Sequence, residues 1–562
     1  MNILSRTYRS ALALCLCACV ATPTPLLAAQ VPAANAAELL RQITVLSSDD
    51  FEGRSPGTRG EDLTVDYLIK EFKAVGLAPG NPDGSYIQRV PLSGHTAKPR
   101  ASFTVGSRKI ALRSPADIVA VSYVHQPTLA VTDSELVFVG YGVVAPEYGW
   151  DDYKGMDVRG KTLVMLINDP PVPDPKDPTH LDDAVFGGKA MTYYGRWTYK
   201  YEMAAKLGAS AAIIIHETIP AAYPYSVVAN SYSHENFAIR SDNPNPDFPP
   251  VAAWLHLDRA RELLAATGRD LDALKASAVR RDFRPVPLGA TVGFELKNEI
   301  RDVDSRNVIG KIEGSDPKLR GEYVVYSAHW DHFGWDPTLP GSKHDQIYHG
   351  AADNAAGIAA LLALARAFKD STPRRTVLFI ATTAEERGWL GARYYAQHPL
   401  YPLRQTLANI NIDGVNTWGR TRDLEIVGAG KSTMDDLLTQ AAAAQGRLVH
   451  ADHRPEFGNF YRADQIEFAK VGVPVLYLGE SSDYVGKPKG YADQRIDNYT
   501  AHDYHQVTDT VKADWDLSGA VEDIQLLFAV GNGLAQGAAY PEWKAGSEFK
   551  ATRDAMMQTS AH

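Results

Sequence analysis

Apolar residues near the start of the chain recur at helical spacing. Leu39, Leu40, Ile43 and Leu46 predict a helix, and a second amphipathic stretch from Arg59 to Val75 stops at Gly76. The run Ser47-Ser48-Asp49-Asp50-Phe51-Glu52-Gly53-Arg54-Ser55-Pro56-Gly57 between them reads as a loop. From about Ser134 short apolar runs take over. Leu136-Val137-Phe138-Val139, residues 162–167 and residues 211–215 predict buried strands, with a helix over 200–207 capped by Gly208. From Asn307 the pattern becomes strand, loop, helix. Strands are expected at 323–326, 376–380, 408–412 and 474–478, with a helix over 356–368. The expected fold is α/β: a mostly parallel open sheet flanked by helices, with a smaller α/β insert. In such sheets the site lies beyond the carboxyl ends of the strands.

The chain has 562 residues, too many for one ordinary core. Its expected organisation is a signal peptide over 1–29, the first part of the main domain over 30–133, the insert over 134–285, the main domain over 286–541 and a tail over 542–562. Proline clusters at 244–250 and 285–287 mark the edges of the insert. Arg6 and Arg9, an apolar run over 11–20 and the small residues after Leu27 give the order of a secretory signal, with cleavage near Ala29. That run is too short to span a membrane, and no later segment is expected to do so.

Cys15, Cys17 and Cys19 all lie within this leader, so the exported chain would have no disulfide and no thiolate ligand. The expected location is secreted or periplasmic. Leu16-Cys17-Ala18-Cys19 loosely resembles a lipoprotein processing site, which gives a lipid anchor at Cys19 as the alternative. The formal charge is −10, and loss of Arg6 and Arg9 without any acid makes it −12. That balance argues against nucleic acid as a partner.

Candidate chemistry sits in five short motifs near strand ends or on loops: Ser327-Ala328-His329-Trp330-Asp331-His332, His349-Gly350-Ala351-Ala352-Asp353-Asn354, Ala384-Glu385-Glu386-Arg387-Gly388, Asn411-Ile412-Asp413-Gly414 and Tyr504-His505-Gln506-Val507-Thr508-Asp509. Together they supply imidazoles and carboxylates, donors that suit Zn²⁺. A carboxylate shared between two ions permits a two-metal site, and adjacent Glu385 and Glu386 can divide ligation from general-base work. Singly each motif is weak. A Glu-Glu pair is commonly a solvated helix start, and Asp353-Asn354 can simply cap a helix. The ordered set along one sheet is what carries the reading.

These motifs resemble those of the co-catalytic di-zinc aminopeptidases of peptidase family M28, over most of 307–533. Leu46-Ser47-Ser48-Asp49 and Gly53-Arg54-Ser55-Pro56-Gly57-Thr58 are similar to that family's opening. The insert, with Lys206-Leu207-Gly208-Ala209 before its isoleucines, resembles a protease-associated domain. The resemblance implies two Zn²⁺ ions per chain. His329 and Asp413 would hold one, Glu386 and His505 the other, and Asp353 would bridge them. Glu385 would be the general base. Asp331 would hydrogen-bond His329 and fix its tautomer. Two departures stand out: Ala352 replaces an Asp that is not a ligand, and Ala463-Asp464-Gln465 replaces a Ser-Asp-His. His332 and His344 read as loop residues.

Peptides are the expected substrates, with release of N-terminal residues the first choice. Residues 457–462 and the loop 481–503 are expected to line the specificity pocket, with Tyr484, Tyr491 and Tyr499 as an aromatic wall or an oxyanion donor. Arg462 could instead meet a substrate carboxylate, which would suit a carboxypeptidase or dipeptidase. A third possibility is a binding protein with a relict zinc site.

Overall fold

Asn35 accepts a hydrogen bond from the N–H of Ala37 and so starts α1 (Ala36–Leu46), which buries Leu39, Ile43 and Leu46. Thr58 caps α2 (Arg59–Val75), and the helix ends on Gly76 at φ 90°, the left-handed conformation that favours glycine. Both helices and the stop fall where the apolar spacing predicts them. The structure, a computed structural model, describes residues 34–240, 247–537 and 540–558. The expected signal peptide and Cys19 lie outside the described residues.

One 16-stranded sheet organises the chain. Its principal strands are β1 (Ile87–Val105), β2 (Thr128–Phe138), β3 (Thr162–Leu166), β4 (Ala211–Ile215), β5 (Val251–Leu255), β6 (Val286–Ile312), β7 (Tyr323–His329), β8 (Thr376–Thr382), β9 (Thr406–Asn411) and β10 (Val475–Gly479). β8, β7, β9 and β10 run parallel to one another, as do β2, β3, β4 and β5. β6 is the antiparallel seam between the two sets. Val308 to Ile312 pair with β8, and Val286 to Lys297 pair with β2. β1 lies along β6 from Ile87↔Val308 to Val105↔Ala290. Strand Ile118–Val121 closes the far edge against β5, so the second half of the sheet also uses residues that precede the insert.

Side chains alternate across the parallel strands as pleating requires. Val324, Tyr326, Val377 and Phe379 enter a core shared with α1, α2 and the helix Ala356–Lys369, here α3. Val325, Leu378 and Ile380 enter the opposite core with Trp389 and Phe468. In the insert Val164, Leu166, Ile213 and Ile215 face one core, while Leu163, Met165, Ala212 and Ile214 face the other. Both faces are covered, which is why these strands read as continuous apolar runs. The stretch Ala351–Lys369 is long and apolar enough to cross a membrane, but it is 83% buried as a core helix.

Candidate metal centre

The carboxyl ends of the strands and the segments beside them bring five functional side chains together. His329 is the last residue of β7. Asp413 lies two residues beyond β9, and Glu385 lies three beyond β8. Asp353 sits in the turn that opens α3, and His505 follows the helix Tyr491–His502. The positions obey the rule that open α/β sheets place chemistry at carboxyl ends.

His329 Nε2 stands 3.2 Å from Asp353 Oδ1 and 3.2 Å from Asp413 Oδ1. His505 Nε2 stands 3.4 Å from Asp353 Oδ2 and 3.1 Å from Glu386 Oε2. Asp353 therefore turns one carboxylate oxygen to each imidazole. Glu385 Oε2 lies 3.9 Å from His329 Nε2, between the strand ends, while Glu386 faces away toward His505 and His332. Among the described residues no Lys or Arg forms an ion pair with Asp353, Glu385, Glu386 or Asp413; their direct ion pairs are with imidazoles, and the buried Arg54 and Arg387 act on Asp353 and Glu386 only from farther away. Buried anions in such excess need a cation, and this oxygen and nitrogen donor set fits a divalent ion such as Zn²⁺.

Burial raises the Glu385 carboxyl well above the usual range; His329 opposes this, and Asp413 and Glu386 add to it. Burial and Asp353 also act to raise Glu386, but His505 and His332 outweigh them and bring it to about 2. Two adjacent glutamates thus differ because Glu386 has two imidazoles in close contact, while Glu385 has one, at 3.9 Å, with carboxylates beside it.

Asp331 meets His329 differently from the expectation. Its backbone carbonyl, not its carboxylate, lies 3.2 Å from His329 Nδ1, while the nearer carboxylate oxygen is 3.8 Å away. The carboxylate instead accepts the Glu385 N–H at 3.0 Å. His332 is no plain loop residue: it is fully buried, with Nδ1 2.5 Å from Glu386 Oε1. Sequence reading also passed over Asp509, which accepts the N–H groups of Ala352 and Asp353 at 3.1 Å each. It likewise missed Arg54, whose buried guanidinium donates to the carbonyls of Trp330, His349 and Gly350. At the departure from the family motif, Gln465 is buried and accepts from Asn411 Nδ2 at 2.9 Å, and Asp464 accepts from Thr382.

The centre opens into a cavity of about 400 Å³ lined by Tyr499 and Arg462 from the main domain and by Arg196, Trp197, Tyr223 and Tyr232 from the insert. Two expected wall residues are elsewhere. Tyr484 is buried beneath, with its hydroxyl 3.3 Å from Asn416 Oδ1, and Tyr491 packs edge-on against it. Tyr484 is buried and Tyr491 half-buried because Ser481 and Ser482 tie that loop to Asp423. Tyr477, on β10, lines the cavity in their place. Arg462 spends its guanidinium on the carbonyls of Phe457 and Ala221 and packs over Tyr223. The insert also supports the centre directly, since Ser231 Oγ lies 3.2 Å from His505 Nδ1 and Asn230 donates to the His505 carbonyl.

Fold and site together define an α/β protein with a clustered carboxylate–imidazole centre at the strand ends. Residues 307–529 match the model of Peptidase family M28, so that segment carries a domain of this family. The fold is similar to that of an aminopeptidase from Aneurinibacillus sp. strain AM-1, with a TM-score of 0.50 and 18% identity over 90% of this chain and 95% of that one. In sequence the chain is 30% identical to Aminopeptidase NAALADL1 of Mus musculus over 184 residues, covering 30% of this chain and 23% of that protein. It is 34% identical over 124 residues to a Vacuolar membrane protease of Lachancea thermotolerans, covering 22% of this chain and 11% of that one. The matched segments thus span less than a quarter of these two curated relatives.

Proposed function

We propose that this protein is a two-zinc aminopeptidase that hydrolyses the first peptide bond of its substrates. The observation that carries the reading is Asp353, whose two carboxylate oxygens face His329 and His505 separately, the arrangement a bridging ligand needs. His329 with Asp413 and His505 with Glu386 would complete the two sets of donors. When bound there, zinc would supply Lewis-acid chemistry for the scissile carbonyl and for activating water near neutral pH. Glu385 takes a proton from the attacking water and delivers it to the leaving amine, work suited to a carboxyl that burial raises above its usual range. The Asp331 carbonyl and carboxylate hold His329 and Glu385 in register. We read the insert as a protease-associated domain that forms one wall of the cavity and holds His505.

A second reading on the same fold, carboxypeptidase or dipeptidase action, is favoured by Arg196. Its side chain is buried against the cavity, and among the described residues its Nε has no hydrogen-bond partner. An unpaired buried guanidinium calls for an anion, and a substrate carboxylate would supply one.

Zinc content and turnover of a panel of aminoacyl chromogens, with and without chelator, test the main reading. Chelator-sensitive cleavage with zinc bound supports it. Cleavage confined to substrates with a free carboxyl end would favour the second reading. A chain with neither metal nor turnover would refute both and point to a binding protein.

A further inference from the structure

A separate cluster lies outside the cavity, where the turn Asp49–Arg54 meets the segment leading to Asp353. Asp49 Oδ1 is 2.7 Å from His344 Nδ1 and 2.9 Å from His349 Nε2. The three ligand atoms lie within 4.8 Å of one another. His349 is buried, and among the described residues its Nδ1 has no hydrogen-bond partner and only Asp49 engages this ring through a nitrogen. His344 is well exposed, and its ring lies 4.6 Å from that of His349. Neither imidazole serves the centre described above.

We infer that Asp49, His344 and His349 form a third metal site, for a divalent ion of the zinc class, with water completing its coordination. Two imidazoles and one carboxylate are a donor set such ions accept. Ligand atoms around a tetrahedral zinc sit ~3.3 Å apart, given bonds of ~2.0 Å. The two spacings to Asp49, 2.7 and 2.9 Å, must therefore open by ~0.4–0.6 Å. His344 can make this movement because it lies on an exposed turn, while His349 is the fixed ligand. The lone aspartate shared by two imidazoles also leaves the ion a favourable charge balance.

The site would act as a staple. Asp49 and Arg54 bracket one turn, and Arg54 donates to the carbonyls of His349 and Gly350 at 2.7 and 2.8 Å. An ion on Asp49 and His349 would close the other side of this junction. It would fix the segment entering Asp353 without touching substrate. The site is independent of the proposed two-zinc centre, because its three ligands come from other residues.

The test is zinc per chain, measured after dialysis of the whole protein, in the native form and in His344→Ala and Asp49→Asn. Asp49→Asn keeps the size and a hydrogen-bonding oxygen, and both residues are exposed enough for the fold to tolerate the change. Native protein with three ions and both variants with two supports the site. One ion in the native chain that both variants lose also supports it, and would refute the two-zinc reading instead. Two ions in all three proteins would overturn the third site and leave the two-zinc reading intact. As a second readout, added zinc should raise the thermal midpoint of chelator-treated native protein more than that of either variant. Equal rises would overturn the staple.

Discussion

The carboxylate of Asp331 accepts the backbone N–H of Glu385 at 3.0 Å, while the carbonyl of the same residue lies 3.2 Å from His329 Nδ1. One buried residue therefore fixes both the proposed base and a proposed ligand. The link runs through the Glu385 backbone, so it survives a change of side chain. Glu385→Gln should keep its metal and its fold yet lose ~10²–10⁴-fold in kcat, the contribution of a positioned base. Metal analysis beside steady-state kinetics checks this, and normal turnover by the variant would remove Glu385 from the mechanism.

Asn354 ties the Asp353 turn to the Asp413 turn. Its Oδ1 accepts the N–H groups of Gly357 and Gly414, both at 2.8 Å, and its Nδ2 donates to the Ile412 carbonyl at 3.0 Å. Asn354→Ala breaks all three bonds in a buried place. We expect a loss of about 2–4 kcal/mol in stability, from net bond energies and unpaired partners. Metal affinity should weaken ~10–100-fold, as when outer partners of ligands are removed. Denaturant unfolding and metal competition measure the two separately. Unchanged metal affinity would show that the turns hold their places without Asn354.

How legible was this in the chain? The parallel strands and α3 were, because both faces are buried and apolar runs mark them directly. The five clustered side chains were too, because His329, Asp413 and Glu385 follow recognisable strand ends, Asp353 opens a helix and His505 follows one. The ribbon β1–β6 was not. Its middle, Lys297-Asn298-Glu299-Ile300-Arg301-Asp302-Val303-Asp304, exposes alternate positions and shows charge where a strand search seeks apolar residues. His332 and Asp509 stand within the motifs, but their roles are not legible there, for a different reason. Their importance comes from tertiary contacts with Glu386 and with the Asp353 backbone, which no local pattern announces. Tyr484 misled because an aromatic on a long loop near a site can as easily fill a core as line a wall.

Arg196 gives a prediction with two opposite signs. Burial lowers its pKa to about 9, with Arg462 nearby adding to the effect, and no carboxylate pairs with it among the described residues. Arg196→Met keeps much of the volume and removes the charge, so the thermal midpoint should rise. If substrates present a carboxylate there, kcat/KM on peptides with a free carboxyl end should fall ~10–100-fold, the worth of one charge-assisted hydrogen bond. Turnover of uncharged aminoacyl chromogens should not change. An equal loss on both substrate types would mean that Arg196 shapes the cavity rather than reading an anion.

A last prediction concerns pH and lies away from the centre. His453 Nδ1 bonds Glu425, and its Nε2 is 3.0 Å from Asp493 Oδ1. The Glu425 bond is the main cause that raises the His453 pKa to about 9, against burial, and Asp493 adds to it. Burial raises the Glu425 carboxyl as well, but the direction on the histidine follows from two flanking carboxylates. Because the folded pKa exceeds the unfolded value of about 6.5, the native state binds this proton more tightly. The stabilisation is complete below about pH 6.5 and is lost as pH rises through 9. With the ring about one-third exposed, solvent screening reduces it to about 1–2 kcal/mol. Thermal midpoints across pH 6–9.5 should therefore fall in the native protein and stay flatter in His453→Gln. Parallel curves would show that the histidine is not protonated in the folded chain, and that the Glu425 contact is held as a neutral hydrogen bond.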